Sequence, residues 1–292
     1  MQKGPYRIIF TDLDGTLLDH QTYEWEKALP ALNLCKKLEV PVVLVSSKTR
    51  AEMEKLRMKL SIHDPFISEN GGGVFIPRKL FGTLSSGTLI EKDLCKLSLG
   101  VPYSRLVNAL GEIRNELGLN IKGFSDMSIR EISQVTGLGL EDCESAAMRE
   151  YDEPFISLDK GPVDRRALFT AAREKGLSIT EGGRFFHLHG DNNKGLALEK
   201  LVSWYKKFLG NIFTIALGDS PNDFSMLERT DYPILIQSQR DLSELKQKIP
   251  RLKITREFGP EGWNSAVLEM LNNKNIQKFL KEKSPSTPGR SF

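Results

Sequence analysis

Ile8-Ile9-Phe10-Thr11-Asp12-Leu13-Asp14-Gly15-Thr16-Leu17 places two carboxylates two residues apart at the end of an apolar stretch. Side chains at i and i+2 of an extended chain point the same way. Asp12 and Asp14 are therefore expected on one side of a strand end, with Gly15 letting the chain turn away. Two crowded anions repel unless a cation or a proton lies between them. A hard divalent ion such as Mg²⁺ suits these oxygens and leaves room for a substrate phosphate. The competing reading is a solvated Asp14-Gly15 turn. A calcium loop is excluded, because acids and amides are missing at its later ligand positions.

A second stretch, Ile212-Phe213-Thr214-Ile215-Ala216-Leu217-Gly218-Asp219-Ser220-Pro221-Asn222-Asp223, also ends an apolar run in acids. Ser220 reads as an N-cap, Pro221 as the first helical residue and Asp223 as the acid of the first turn. Capping accounts for Ser220 and Asp223 but not for Asp219, whose backbone role Gly or Asn would fill equally well. A strand-end carboxylate beside a helix start is where a parallel α/β sheet collects ligands.

Working outward, Ile8–Thr11, Val42–Ser46 and Phe66–Glu69 are near-continuous apolar runs, as parallel strands buried on both faces should be. Helical patterns separate them, from Ala28 to Leu38 and from Thr49, where Thr49-Arg50-Ala51-Glu52 fits a capping box. The alternation resumes after residue 190 with a helix from about Asn193, the strand Ile212–Leu217, a helix from Pro221 and the strand Pro233–Ile236. These spacings predict an α/β fold, a Rossmann-like open parallel sheet interrupted in the middle. Residues 82–189 read differently, with helices near Ser104–Leu117 and Glu141–Glu150 and strands near Phe155–Leu158 and Phe185–His189. The expected organisation is a core of residues 1–81 with 190–273, an inserted α+β cap over 82–189, and a basic disordered tail over 274–292.

The chain resembles haloacid dehalogenase (HAD) type phosphohydrolases, and four motifs carry the likeness in order: Asp12-Leu13-Asp14-Gly15-Thr16, Ser46 after Val42-Val43-Leu44-Val45, Lys194 in Gly190-Asp191-Asn192-Asn193-Lys194-Gly195, and Gly218-Asp219-Ser220-Pro221-Asn222-Asp223. Further stretches are similar to the mannosyl-3-phosphoglycerate phosphatase family within that superfamily. They are Ser46-Ser47-Lys48-Thr49-Arg50-Ala51-Glu52, Glu69-Asn70-Gly71-Gly72, Arg149-Glu150-Tyr151-Asp152-Glu153-Pro154-Phe155, Gly182-Gly183-Arg184-Phe185-Phe186-His187-Leu188 and Gly259-Pro260-Glu261-Gly262-Trp263-Asn264.

The resemblance implies a Mg²⁺-dependent phosphatase that forms a glycosylglycerate solute, with a cap that closes over the site. Asp12 would attack phosphorus, Asp14 would serve as acid and base, and Ser46 and Lys194 would hold the phosphoryl oxygens. Asp12, Asp14 through its main-chain carbonyl, Asp219 and Asp223 would surround the metal. Substrate contacts are expected from Ser47, Lys48, Glu69, Asn70, Gly71, Arg149, Gly182, Gly183, Arg184, Asn192 and Asn222. Plainer readings compete: a surface lysine for Lys194, a hinge for Glu69-Asn70-Gly71, and a hairpin turn for Gly182-Gly183-Arg184. His187 and His189, two apart on a strand, read as structural or substrate-lining rather than as a metal pair.

The 39% hydrophobic content of 292 residues supports a substantial core. No apolar stretch approaches membrane-spanning length, and Met1–Tyr6 carries no apolar signal region. Cys35, Cys95 and Cys143 form no metal spacing and fit a reduced cytoplasm, with Cys35 on the apolar helix face of Ala28, Leu32 and Leu38. The net charge is +3, but Lys274, Lys278, Lys281, Lys283 and Arg290 against Glu282 give the tail a surplus of four, which leaves −1 for the remainder. A nucleic-acid surface is therefore not expected. The partner is a small phosphorylated sugar, with monomer and homodimer both open. Three functions stay in play: phosphatase, sugar phosphomutase, and non-catalytic sugar-phosphate sensor, the last disfavoured by an intact nucleophile.

Overall fold

The computed structural model describes residues 5–81, 88–159, 161, 163–182, 185–239 and 243–272. The expected disordered tail, 274–292, lies outside them. The chain divides into two compact units, residues 1–45 with 194–292 and residues 46–193.

In the first unit five strands pair in parallel, in the order Lys253–Phe258, Tyr232–Gln237, Ile212–Gly218, Tyr6–Thr11, Val42–Val45. The α/β fold expected from the alternation is present. Every residue of Ile212–Gly218 and of Val42–Val45 is buried, which is why both read as unbroken apolar runs. Tyr6–Thr11 is flanked on one side by Val42–Val45 and on the other by Ile212–Gly218. Its carboxyl end is therefore a point where the strand order reverses, the place at which open parallel sheets gather ligands. The helix Leu29–Lys37, which packs on helix Gly259–Asn272, buries Ala31, Leu32 and Cys35. Leu38, expected on the same face, is exposed, because the helix has ended and Leu38 is its C-cap.

Behind Asp12, the fully buried Trp263 of helix Gly259–Asn272 donates from Nε1 to Thr11 Oγ1 at 2.9 Å, and Thr11 Oγ1 donates to the Asp12 carbonyl at 2.8 Å. A β-carbon on Gly262 would stand 2.3 Å from the Glu257 carbonyl oxygen, so the helix can start this close to the last strand only with glycine there.

The second unit holds two antiparallel groups. Phe66–Ser68, Gly73–Pro77, Leu94–Ser98 and Leu89–Glu91 pair in that order, and so do Ile121–Gly123, Asp152–Ser157, Phe185–His189 and Ser178–Gly182. Helices Tyr103–Leu117 and Arg165–Glu174 cover one face of the latter, burying Leu106, Leu110, Ile113 and Leu168 with Phe155 and Leu188. The short helices Ile129–Thr136 and Leu140–Ala146 pack Ile132 and Cys143 around Phe124 and Phe185. The first of these was not read from the sequence, although its Ser128/Glu131 capping box was available. The second stops at Ala146 rather than near Glu150, because the following backbone leaves the helix for other partners.

Residues 46–81 group with the middle of the chain through such ties. Thr49 Oγ1 donates to the Ser145 carbonyl at 2.8 Å while also capping Arg50–Leu60, and Tyr151 sits in a socket of three glycines. A β-carbon on Gly72 would lie 2.3 Å from Tyr151 Cβ, and one on Gly100 would lie 2.7 Å from it. Gly72 is required for space and not for its backbone angles.

Gly72→Ala should therefore cost about 1–3 kcal/mol through overpacking. Gly111→Ala, in helix Tyr103–Leu117 and with only Arg114 within 4 Å at 3.9 Å, should stabilise by roughly 0.5–1 kcal/mol. Urea unfolding midpoints of the two variants against the parent chain check both signs.

Candidate active site

Asp12 follows the last residue of Tyr6–Thr11, and Asp219 follows the last residue of its neighbour Ile212–Gly218, with Thr11 and Leu217 in register. The chain leaves the strand at Thr11, so Asp14 is placed by a tight turn and not by strand alternation: Gly15 N–H bonds the Leu18 carbonyl at 2.9 Å, and Asp14 bridges Leu18. Gly15 is needed twice over. Its φ of +82° is left-handed, and a β-carbon would stand 2.7 Å from Asp219 Oδ2. Thr16, quoted in the first motif but given no role, donates to Asp219 Oδ1 at 3.3 Å.

Lys194 opens helix Lys194–Leu209 and is fully buried. Its ammonium donates to Asp12 Oδ1 at 2.5 Å and to Asp223 Oδ1 at 2.6 Å, which disposes of the surface-lysine reading. The other oxygen of Asp223 accepts from the backbone N–H of Asp219 at 3.0 Å, the N–H of Ser220 at 3.1 Å and the Ser220 hydroxyl at 3.2 Å. The expected capping at Ser220 is thus real, over a 3₁₀ turn Pro221–Asp223. Asp223 both caps that turn and braces Lys194. Asn222 accepts from Ser220 Oγ at 2.5 Å on the exposed rim.

Oxygens of Asp12, Asp219 and Asp223 lie within 4.8 Å of one another. Three carboxylates face one ammonium, so the cluster carries two more negative charges than positive ones. Burial pushes the Asp12 carboxyl well above its ordinary range, and Asp223 and Asp219 add to this, against the pull of Lys194. For Lys194, burial works against the charge, but Asp12 and Asp223 outweigh it and hold the ammonium above its ordinary range. An all-oxygen, electron-rich, charge-deficient cluster fits a hard divalent cation.

Residues 46–193 contain a second convergence. Ser46 N–H bonds the Ile67 carbonyl at 3.0 Å, Ser46 Oγ accepts from Lys48 N–H at 3.2 Å, Glu69 N–H bonds the Lys48 carbonyl at 3.0 Å and Asn70 N–H bonds the Ser46 carbonyl at 2.9 Å. Asn192 Nδ2 donates to the Glu69 carbonyl at 3.3 Å. Glu69, Asn70 and Gly71 are all left-handed, at φ 46°, 52° and 97°, a strain of order 1–3 kcal/mol for the non-glycines that the surrounding bonds hold in place.

Glu69 and Arg149, expected among the substrate contacts, are engaged within the protein. The Glu69 carboxylate accepts from the N–H groups of Glu150 at 3.1 Å and Tyr151 at 2.7 Å. The Arg149 guanidinium donates to the carbonyls of Ala146 at 2.9 Å and Ser47 at 3.1 Å and to Asp152 Oδ2 at 3.2 Å. Both tie the segment after helix Leu140–Ala146 to residues 47–69. Gly182 ends strand Ser178–Gly182, while Gly183 and Arg184 lie outside the described residues. The two histidines spend nitrogens on the protein: His187 Nδ1 pairs with Asp152 Oδ2 at 2.9 Å, and His189 bonds the Gly190 carbonyl and Thr180 Oγ1 at 2.6 and 3.2 Å. Among the described residues no helix is long and apolar enough to cross a membrane, and all three cysteines are buried and free.

The family described as haloacid dehalogenase-like hydrolase matches residues 9–97 and 171–249. A glucosyl-3-phosphoglycerate/mannosyl-3-phosphoglycerate phosphatase of Methanococcoides burtonii is 39% identical over 92% of this chain and 98% of its own. A mannosyl-3-phosphoglycerate phosphatase of Pyrococcus horikoshii is 34% identical over 80% of this chain and 91% of its own. Among solved structures, a haloacid dehalogenase-like hydrolase from B. subtilis superposes with a TM-score of 0.60 at 19% identity, over 91% of this chain and 99% of that one, a likeness of fold.

Burial pushes the Glu69 carboxyl from 4.5 up to about 7, with Arg149 and the Tyr151 N–H pulling it back. A carboxyl raised on folding contributes stability that is complete below about pH 4.5 and is lost as pH rises through about 7. Glu69→Gln should therefore lose less stability than the parent between pH 5 and pH 8, by on the order of 3 kcal/mol. Paired melting curves across that range decide it; parallel curves would deny Glu69 the shift.

Proposed function

Because the chain belongs to the haloacid dehalogenase-like hydrolase family, we propose that it is a cytoplasmic phosphatase converting mannosyl-3-phosphoglycerate or glucosyl-3-phosphoglycerate to the glycosylglycerate and inorganic phosphate. The printed names of its relatives support that substrate class. Residues 1–81 with 190–273 form the catalytic core of this reading and 82–189 its cap.

The observation that carries the reaction is the ammonium of Lys194, fully buried between the strand-end carboxylate of Asp12 and the bracing carboxylate of Asp223. A phosphate monoester is a dianion, and a carboxylate approaches its phosphorus only when cations offset the repulsion. Lys194 supplies one positive charge at the nucleophile itself. Asp12, Asp219, Asp223 and the main-chain carbonyl of Asp14 suit Mg²⁺, whose chemistry when bound is to neutralise the phosphoryl charge.

Asp12 attacks phosphorus in line. The new bond is an aspartyl phosphate, and the bond that breaks joins phosphorus to the glycerate oxygen. Asp14 gives its proton to that departing oxygen, then takes one from the water that hydrolyses the intermediate. The Ser46 hydroxyl donates to a phosphoryl oxygen, and Ser47, Lys48, Asn70, Gly71, Asn192 and Asn222 supply polar groups around the leaving group. Asp223 holds Lys194 in place, while Glu69 and Arg149 hold the loops on which the polar groups stand. Free phosphate, rather than an isomerised sugar phosphate, is the product that separates this reading from a mutase.

Asp12→Asn should abolish turnover and leave the fold intact, since the amide keeps the shape and loses the attacking anion. Folded variant with turnover within about tenfold of the parent, a barrier change of only ~1.4 kcal/mol, would remove Asp12 as nucleophile.

Treatment with a chelator should stop phosphate release from either glycosyl phosphoglycerate, and added Mg²⁺ should restore it. Full turnover in the chelator would rule out the cation-binding role of the acidic cluster.

A further inference from the structure

At the carboxyl ends of its parallel strands, the first unit holds a cavity of about 420 Å³ that shares Asp219 with the acidic cluster. That volume lies in the range of small-molecule pockets. The last strand, Lys253–Phe258, reaches the cavity through an irregularity. Leu235 pairs with Ile254 and Gln237 with Phe258, so Ile236 alone faces Thr255, Arg256 and Glu257. Such a bulge re-aims the side chains beyond it. Thr255 Oγ1 holds this one, accepting from the Gln237 N–H at 2.9 Å and donating to the Glu257 carbonyl at 2.8 Å. Phe258 is thereby set in the cavity wall with 54% of its surface exposed, an aromatic ring that lies largely outside the core. Another part of the wall is the turn at Asp19, His20 and Gln21. Asp19 Oδ1 fixes it by accepting from the N–H groups of Gln21 at 2.8 Å and Thr22 at 2.9 Å.

The lining selects a chemical class. Gln21, Gln237 and Gln239 bring amides and Ser238 a hydroxyl, groups that both donate and accept. Ser238 Oγ is buried and has no hydrogen-bond partner among the described residues. Leaving a buried hydroxyl unpaired is unfavourable, and a ligand hydroxyl would complete it. Among the described lining residues there is no lysine or arginine, while Asp19 and Asp219 contribute carboxylates, so an anion is repelled. A cation offers only charge and donors, and would leave the amide N–H groups without acceptors. An apolar ligand would strand all of these polar groups. The ligand that matches is neutral, with several hydroxyls and one face of C–H bonds to lie on Phe258, which describes a pyranose ring.

We propose that this cavity is a binding site for a neutral pyranose ring, with Phe258 against its C–H face and Gln237, Ser238 and Gln239 bonding its hydroxyls. The site is built wholly within the first unit. Only the source of the ring rests on the proposed substrate: it is the glycosyl group of the phosphate ester attacked by Asp12, or a free sugar.

The probes are methyl α-mannopyranoside and methyl α-glucopyranoside, titrated by ligand-detected NMR into the full chain and into Phe258→Ala and Gln239→Ala, with choline as a cation control. Both side chains are exposed, so the variants should melt like the parent. At least one pyranoside should bind and choline should not. Binding should weaken about tenfold in Phe258→Ala and roughly fivefold in Gln239→Ala, the loss of one ring contact and of one hydrogen bond. Binding of neither pyranoside, binding unchanged in both variants, or tighter binding of choline overturns the proposal. Steady-state kinetics on mannosyl-3-phosphoglycerate, glucosyl-3-phosphoglycerate and p-nitrophenyl phosphate then assigns the ring. A KM in Phe258→Ala that rises for a glycosyl substrate and not for p-nitrophenyl phosphate makes it the substrate's own glycosyl group. Unchanged KM values beside weakened pyranoside binding make it a free sugar. If the parent hydrolyses neither glycosyl phosphoglycerate, the substrate reading has failed on its own, and the pyranoside titration still decides the cavity.

Discussion

A single ammonium, that of Lys194, is held without solvent between two carboxylates, and much of the first unit is arranged to permit it. Burying a lone charge costs several kcal/mol even after the surroundings relax, so the cation exists there only because Asp12 and Asp223 are within hydrogen-bond distance. The requirement reaches outward. Asp223 can face Lys194 because its other oxygen is fixed by the N–H groups of Asp219 and Ser220, over a Gly218 whose missing β-carbon would lie 2.5 Å from Asp223 Cβ. The helix that carries Lys194 starts against Ser225 so closely that a β-carbon on Gly195 would stand 2.1 Å from the Ser225 carbonyl oxygen. The parallel sheet supplies the rest, since adjacent strands in register bring Asp12 and Asp219 to the same edge.

The same ammonium leaves the cluster short of positive charge. Burial first, and then the neighbouring carboxylates of Asp223 and Asp219, hold the Asp12 carboxyl above its ordinary range, so that added positive charge at the cluster would favour its anion.

In the second unit the corresponding constraint is local strain. Two successive non-glycine residues, Glu69 and Asn70, are left-handed, and the backbone there is pinned by Ser46, Lys48 and Asn192. Glu69 and Arg149 reach across to hold the segment that leads into strand Asp152–Ser157. The polar groups of this segment are therefore mounted on a frame that the protein itself holds rigid. Arg149 and Asp152, both buried, continue that frame to His187.

Much of this was legible along the chain, because the signals are short-range. Apolar runs buried on both faces marked the parallel strands, capping boxes at Thr49 and Ser220 marked helix starts, and Asp12, Asp14, Lys194 and Asp219 were visible as acids and a base at strand and helix ends. The remainder depended on partners far apart in sequence. Glu69 meets the Tyr151 N–H 82 residues away and Arg149 meets the Ser47 carbonyl 102 residues away, so both read as ligand-binding when they are internal ties. Helix Ile129–Thr136 was passed over because its short, mixed pattern acquires an apolar side only against Phe124 and Phe185. Residue order determined which chemistry the chain carries, since that is written in side-chain type and local spacing. Tertiary structure alone decided which of those side chains hold the protein together, because a hydrogen bond across distant segments leaves no local trace.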